Sequence, residues 1–375
     1  MRTYIVLYTF TYAALGAFMP LIGQYLRFIG FSGAQIGSVV SVATAVAIFA
    51  NIFWGRLYNR SENKKNFVLK LSLAAASVCV CLYFVDSYAI FLPAFCILYF
   101  FQAPAVSLID AMALEDGQSF GAVRKWGALS FAFGVFFAGK FADISGLHVI
   151  FFLYSGCFFI VALNLLITDV GLKNTSDASS EFGIFKNGKY IKMIICAFFI
   201  SGATISNNTY FGFLYLQGGG SIAGLGVAFL LMAGSEAPFM AWTEKIFNAF
   251  TLEKALLAAM CISTARFAWY ATCPQAPMLM GFFILQGITV GVTIVGFIKY
   301  IEKVVPRGHL GFAISVYYAL SSGLSNIFCQ MAGGVLLDYL GAGGIYKFFA
   351  AMNLTGVILF VSWGLFRGIE KAKKK

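Results

Sequence analysis

Glu236 and Arg266 stand inside long apolar stretches, where an ionisable side chain is costly and is kept for a task or a partner. Pro238 follows Glu236 by two positions and weakens the helical hydrogen-bond ladder beside it. At about 1.5 Å of rise per residue, their expected depths below one membrane face differ by only roughly 5 Å. A Glu236–Arg266 ion pair is therefore expected if the two helices are neighbours. A carboxyl group in a cavity reached alternately from two sides can take a proton on one side and release it on the other, and a nearby arginine biases that equilibrium. Asp110 and Arg124 flank a short connection between two other apolar stretches, which suggests a second pair. The alternative for both pairs is a static staple between helices.

Neutral polar groups gather in three further stretches. One holds Ser201, Thr204, Ser206, Asn207, Asn208, Thr209 and Tyr210; another holds Gln286, Thr289 and Thr293. The third holds Tyr317, Tyr318, Ser321, Ser322, Ser325, Asn326 and Gln330. Lipid does not reward such groups, so some are expected to line a wet cavity. His148 and His309 fall at the ends of apolar runs, so no intramembrane histidine metal site can be built. The eight cysteines are scattered, without a metal pair or a disulfide framework. There is no phosphate-binding Gly-rich loop and no nucleophile–base constellation. The expectation is neither an enzyme nor an ATP-driven pump, with no cofactor and no metal.

The elements that must carry these residues follow from composition. The chain is 60% hydrophobic and 11% charged, with a mean hydropathy of +0.85. A soluble domain is about a quarter charged, so this chain cannot cover a water-facing surface. Continuous apolar runs of about 20 residues cross a bilayer as helices, which satisfy their own backbone groups. Twelve runs are expected, at roughly 4–26, 34–57, 66–85, 89–113, 124–143, 148–168, 190–216, 222–245, 253–273, 277–301, 310–337 and 343–366.

The 26 Lys and Arg residues support that count. Nearly all fall on alternate connections: Arg2, Arg56 to Lys70, Arg124 and Lys125, Lys173 to Lys192, Lys245 and Lys254, Lys299 to Arg307, and Arg367 to Lys375. Arg27, Lys140 and Lys347 lie on the opposite side, and Arg266 lies within a run. Positive residues near span ends stay in the cytoplasm, so both chain ends are expected there. One missed span would invert every later connection and destroy the alternation. The net charge of +11 is thus explained by topology and anionic lipid, not by a nucleic-acid partner.

The chain also repeats. Gly139-Lys-Phe-Ala-Asp143-Ile-Ser-Gly146 ends the fifth span and Gly334-Val-Leu-Leu-Asp338-Tyr-Leu-Gly341 ends the eleventh. Two six-helix bundles are expected, related by an axis along the membrane normal: residues 1–168, a polar linker 169–189, and 190–375 with a basic tail.

At this point the residues resemble a known group. Gly55-Arg-Leu57-Tyr-Asn59-Arg60-Ser-Glu-Asn-Lys64-Lys65, read as a conformational loop after the second span, resembles the Gly-x-Leu-x-Asp-Arg-x-Gly-Arg-Arg signature of the major facilitator superfamily. It departs in having Asn59 where the family has an aspartate. Phe120-Gly121-Ala-Val-Arg124-Lys-Trp126-Gly127 resembles the start of the fifth span in the branch holding lactose permease, phenylpropionate permease and nucleoside–proton symporters. The resemblance implies an all-α membrane protein with twelve transmembrane helices in two pseudo-symmetric six-helix bundles, the major facilitator fold. It implies that Asp110 and Arg124 match a sugar-contacting pair, that Glu236 matches a sugar-binding carboxylate, and that Arg266 matches an arginine tied to proton coupling. Gln286 and Thr289 stand where lactose permease has its coupling His and Glu, and Asn207 or Asn208 replaces its acids on the seventh span. If protons are coupled, Glu236 or Asp110 must carry them.

The expected function is a secondary transporter moving a small organic solute by alternating access. Proton symport of a sugar, organic acid or nucleoside is placed first, proton-coupled efflux second, and a receptor without flux third. The expected solute-binding set is Asp110, Arg124, Trp126, Asn207, Asn208, Tyr210, Glu236, Gln286 and Thr289; Gly55, Asn59 and Arg60 serve conformational change. A monomer in a bacterial inner membrane is expected, with solute, protons and lipid as its only partners.

Overall fold

The computed structural model describes residues 2–118, 120–167, 187–306 and 310–367, with only the backbone described at a few of these, Arg124 among them. The chain is helical almost throughout, and its apolar runs are its helices: α1 (Arg2–Phe28), α2 (Gly33–Arg60), α3 (Lys64–Leu82), α4 (Tyr88–Glu115), α5 (Phe120–Ser145), α6 (Val149–Ile167), α7 (Gly188–Gln217), α8 (Ile222–Phe250), α9 (Leu252–Tyr270), α10 (Ala276–Val304), α11 (Leu310–Tyr317) and α12 (Ser325–Ser362). A π-helical segment, Tyr318–Leu324, joins α11 to α12 without a break. Within α12, Gly341 leaves helical geometry at φ +64°. The rings of Phe328 and Phe348 then lie 5.9 Å apart, which a straight helix over 20 residues could not allow. The chain turns back at Gly341, so residues 310–340 and 342–362 are two crossings. This gives twelve crossings among the described residues, and both chain ends share one face, called here the near face.

Polar residues punctuate the apolar runs. Ser32 and Gln35 form a reciprocal capping box at the start of α2. Asn63 caps α3, Asn187 caps α7 and Ser221 caps α8. Gly188 and Lys189, assigned to the linker from sequence, are the first turn of α7; residues 169–186 of that linker and the Lys371–Lys375 tail lie outside the described residues. The segment read as a loop from Gly55 to Arg60 is the last part of α2. No helix breaker intervenes before Ser61, whose backbone N–H closes the helix on the Tyr58 carbonyl.

The two six-helix sets pack alike. In the first, α1 meets α5 through glycines: a Cβ on Gly16 would stand 2.9 Å from the Phe131 carbonyl carbon, and Gly134 meets the Ala13 backbone. In the second, α7 meets the first arm of α12 at Gly202, where an added Cβ would stand 2.6 Å from the Ser325 carbonyl oxygen. Ser155 Oγ of α6 donates to the Ala76 carbonyl of α3 (3.0 Å); correspondingly, Asn353 Nδ2 of α12 donates to Ser263 Oγ of α9 (2.7 Å). Small residues let membrane helices approach where no hydrophobic force drives them together.

One repeated feature is inverted in sign. At the near face of the first half, Lys64 opens α3 and reaches Glu115 at the end of α4, 3.0 Å to each carboxylate oxygen. In the second half Glu253 opens α9 and accepts from Lys303 at the end of α10, 3.1 Å. Lys64 is nearly buried and stacked 5.0 Å from the Tyr58 ring, whose hydroxyl also donates to Glu115. Breaking such a pair leaves an uncompensated charge at a cost of about 3 kcal/mol. We expect Glu115→Gln to lower the melting temperature in detergent by several degrees. The exchange Lys64→Glu with Glu115→Lys should recover most of that loss.

Candidate functional site

The halves touch through helix crossings at the face opposite the chain ends, the far face. Gly33 and Gly37 of α2 lie against Gly334 of α12, where a Cβ on Gly334 would strike the Gly33 carbonyl oxygen and stand 2.9 Å from the Gly37 Cα. By the same geometry Gly139 of α5 lies against α8, with its Cβ position 2.9 Å from the Ile222 carbonyl oxygen and 3.2 Å from the Gly226 Cα. The repeated glycines of the two span ends thus meet partners across the interface. Asp338 adds a clasp: its carboxylate accepts from the Gly33 and Ala34 backbone N–H groups, 2.6 and 2.8 Å, at the start of α2. A carboxylate there satisfies two of the helix's orphan donors and complements its dipole. The hydrogen bonds and the ion pair at this crossing join residues 27–44 of the first half to residues 326–338 of the second. This clamp lies in the far half of the molecule.

Below this clamp lie two adjoining cavities, of about 200 Å³ and about 250 Å³, which share Asn208 of α7 and Glu236 of α8. The first is walled by the second half and rich in hydroxyls: Ser201, Thr204, Thr293, Tyr317, Tyr318 and Ser322, with Gln286. The second reaches across to the first half and is apolar on that side, with Tyr12, Leu15 and Met19 of α1 and Ala128 and Phe131 of α5. The π-helical segment supplies Tyr318 and Ser322 to the wall, a common placement for a π-bulge. Gly287 of α10 lets this wall close up on Glu236, since a Cβ there would stand 2.8 Å from the Glu236 backbone nitrogen.

The sequence-predicted residues divide. Asn208, Glu236 and Gln286 line the cavities. Asn207 is fully buried behind them; its Nδ2 donates to Gln286 Oε1 (2.6 Å) and its Oδ1 accepts from Tyr346 OH (2.7 Å). Thr289 turns its hydroxyl to the Gln286 backbone carbonyl (3.1 Å) and is buried. Tyr210 donates to the Gln330 carbonyl (2.6 Å) and packs on Gly333, a tie between α7 and α12 rather than a cavity wall. Asp110 accepts from Tyr8 OH at 2.5 Å, and neither it nor Trp126 lines these cavities. The Arg124 side chain, and with it the expected Asp110–Arg124 pair, lies outside the described residues. Gly55, Asn59 and Arg60 lie toward the near face, with Asn59 and Arg60 exposed.

Arg266 does not take the partner drawn for it from sequence. Its Nη1 donates to Gln286 Oε1 (3.0 Å), while Nε and Nη2 have no hydrogen-bond partner among the described residues. The guanidinium is buried at 3% exposure, 4.7 Å from the Phe267 ring centre and 5.7 Å from that of Tyr270. Aromatic faces hold a desolvated cation. Equal depth, all that sequence offered, does not fix which way the side chains point around each helix axis. The wall residues that sequence missed are chiefly Tyr12, Met19 and Phe131, ordinary apolar-run residues in type. The one available signal was the glycine content of α5, which marks where α1 comes close.

The arrangement is a solute-sized chamber between two helical halves, with one carboxylate, two amides and many hydroxyls. Among the described residues, these are groups able to hydrogen-bond a polar solute. Comparison with known proteins agrees. The MFS_1-like family model matches residues 1–348. The chain is 31% identical to the maltose permease of Geobacillus stearothermophilus, over 94% of this chain and 92% of the relative. It is 27% identical to the uncharacterized transporter YwbF of Bacillus subtilis (strain 168), over 98% and 92%. Among solved structures it superimposes on the nucleoside transporter NupG with a TM-score of 0.84 at 16% identity, over 98% and 99% of the two chains. The twelve crossings, the two matching halves and the full-length matches lead to one conclusion: this chain belongs to the MFS_1-like family and is an integral membrane secondary transporter of the major facilitator fold, not an enzyme.

Proposed function

We propose that the protein imports a small neutral polyhydroxylated solute, a sugar before a nucleoside, together with protons. The observation that carries this reading is the shared wall of the two cavities, where Asn208 and Glu236 face a ring of hydroxyl side chains. The relative named maltose permease supports a sugar, and the fold neighbour named as a nucleoside transporter supports the second choice. Glu236 is the proton carrier in this reading, with Asp110 next in line. The two units are residues 1–168 and 188–375, joined by 169–187, working as a monomer. The basic connections support a reading in which the near face lies in the cytoplasm of a bacterial inner membrane. The far-face clamp then corresponds to a state shut to the outside, and import requires Asp338 to leave the start of α2.

Purified protein in proteoliposomes, given an inward proton gradient and radiolabelled maltose or uridine, tests this. Uphill entry of one of them, abolished by a protonophore, is the expected result. Entry of both no faster than into empty vesicles overturns the solute assignment. Gradient-driven loss of preloaded solute to the compartment facing the far face would turn the reading to efflux.

A further inference from the structure

Arg266 can only donate hydrogen bonds, and this has a consequence two residues away. Its Nη1 and the Asn207 Nδ2 both point at Gln286 Oε1, at 3.0 and 2.6 Å. Asn207 is itself held the same way round, because its oxygen accepts from Tyr346 OH. Turning the Gln286 amide over would set N–H against N–H twice. Gln286 Nε2 therefore faces α7, where it donates to Asn208 Oδ1 at 3.1 Å. That takes the Asn208 oxygen and leaves its Nδ2, which donates to no described residue, for the cavities it lines.

We propose that Arg266 is a positioning residue that writes donor polarity into the solute site: through Gln286 it makes the Asn208 amide a hydrogen donor toward the solute, beside the Glu236 carboxylate. The inference rests on the reading of these cavities as the solute site. Gln286, Asn207, Arg266 and Tyr346 are each nearly or fully buried, so bulk water does not supply a substitute acceptor and release the amide. All five residues of the relay lie on α7, α9, α10 and α12, within one half. The polarity is therefore kept while the halves rock against each other. The chemistry selects a solute with an oxygen lone pair opposite Asn208 and a hydroxyl hydrogen opposite Glu236. A polyol or sugar carries both on adjacent carbons; a carboxylate placed there has no hydroxyl hydrogen to offer Glu236.

The test compares Arg266→Met, Arg266→Lys and Gln286→Glu in proteoliposomes, with maltose as the probe. Equilibrium exchange without a proton gradient is measured beside uphill accumulation. Losing one oriented hydrogen bond corresponds to about a tenfold rise in KM. Arg266→Met is expected to raise the exchange KM by about that factor, and Arg266→Lys, which still only donates, to restore most of it. Gln286→Glu keeps an oxygen toward Arg266 but offers Asn208 an acceptor in place of a donor. It should melt no lower than the unmodified protein, yet show the same rise in KM. An unchanged exchange KM in Arg266→Met with loss of accumulation alone would make Arg266 a coupling residue and overturn the proposal. If Arg266→Met does not fold, an unchanged KM in Gln286→Glu overturns it. If the unmodified protein does not move maltose, the sugar assignment has failed separately, and melting decides. Gln286→Glu should then melt at or above the unmodified protein, and Arg266→Met added to it should lower the midpoint by several degrees. A Gln286→Glu midpoint several degrees low, with Arg266 present, would overturn the relay.

Discussion

Glu236→Gln is expected to leave a carrier that exchanges solute across the membrane at a substantial rate but no longer accumulates it. The glutamine resembles the protonated acid in shape and charge, so the solute-loaded form can still form and turn over. The proton can no longer be bound on one side and released on the other. With one proton per solute, a gradient of one pH unit is worth about 1.4 kcal/mol, or about tenfold accumulation. The variant should fall to equal concentrations inside and out. Time courses of labelled solute in proteoliposomes, with and without a protonophore, measure this directly. Accumulation that persists with its protonophore sensitivity intact would remove Glu236 from coupling and pass the role to Asp110, the carboxylate bonded by Tyr8 OH.

Gly334→Val should abolish net transport, by roughly 20-fold or more, without unfolding the protein. The added carbons would occupy the space of the Gly33 carbonyl and the Gly37 Cα, which are backbone atoms and cannot swing aside as a side chain does. The far face then cannot close, and the carrier is held on the other side of its cycle. Accessibility reports the state: Ser41 of α2 is 1% exposed, under the α12 crossing. Ser41→Cys should resist a membrane-impermeant maleimide in the parent and react readily when Gly334→Val is added. Gly156→Ala, where nothing beyond the helix's own backbone lies within 4 Å of the new carbon, is the control and should behave as the parent. Parent-like uptake by Gly334→Val would mean that the glycine crossing is not a gate.

The sequence carried the helix inventory nearly whole because crossing a bilayer is a one-dimensional problem. Each run must be apolar for the membrane's thickness, and its ends must be polar or charged. The run read as 34–57 is Gly33–Arg60, and that read as 222–245 is Ile222–Phe250. The Gly-x-x-x-Asp repeat was legible too, because the same crossing is built twice: Gly139 and Gly334 each meet a helix of the other half. The symmetry is not complete, since Asp338 clasps the start of α2 while Asp143 has no hydrogen bond to α8 among the described residues. Two carboxylates at matching positions in the repeat therefore do different work.

The sequence by itself determined the class of molecule, the number of crossings and the small set of polar residues that a membrane interior would not tolerate without reason. Only the tertiary structure decided how those residues are shared out. Asn208, Glu236 and Gln286 face the cavities, Asn207 and Arg266 stand behind them, and Tyr210 ties two helices together. It also set Arg266 against Gln286 rather than Glu236 and placed Tyr12 and Phe131 in the opposite wall. The reason is geometric. Hydropathy fixes depth along the membrane normal, but partnership depends on each helix's rotation about its own axis and on which helices touch, and both are set by packing between segments far apart in the chain.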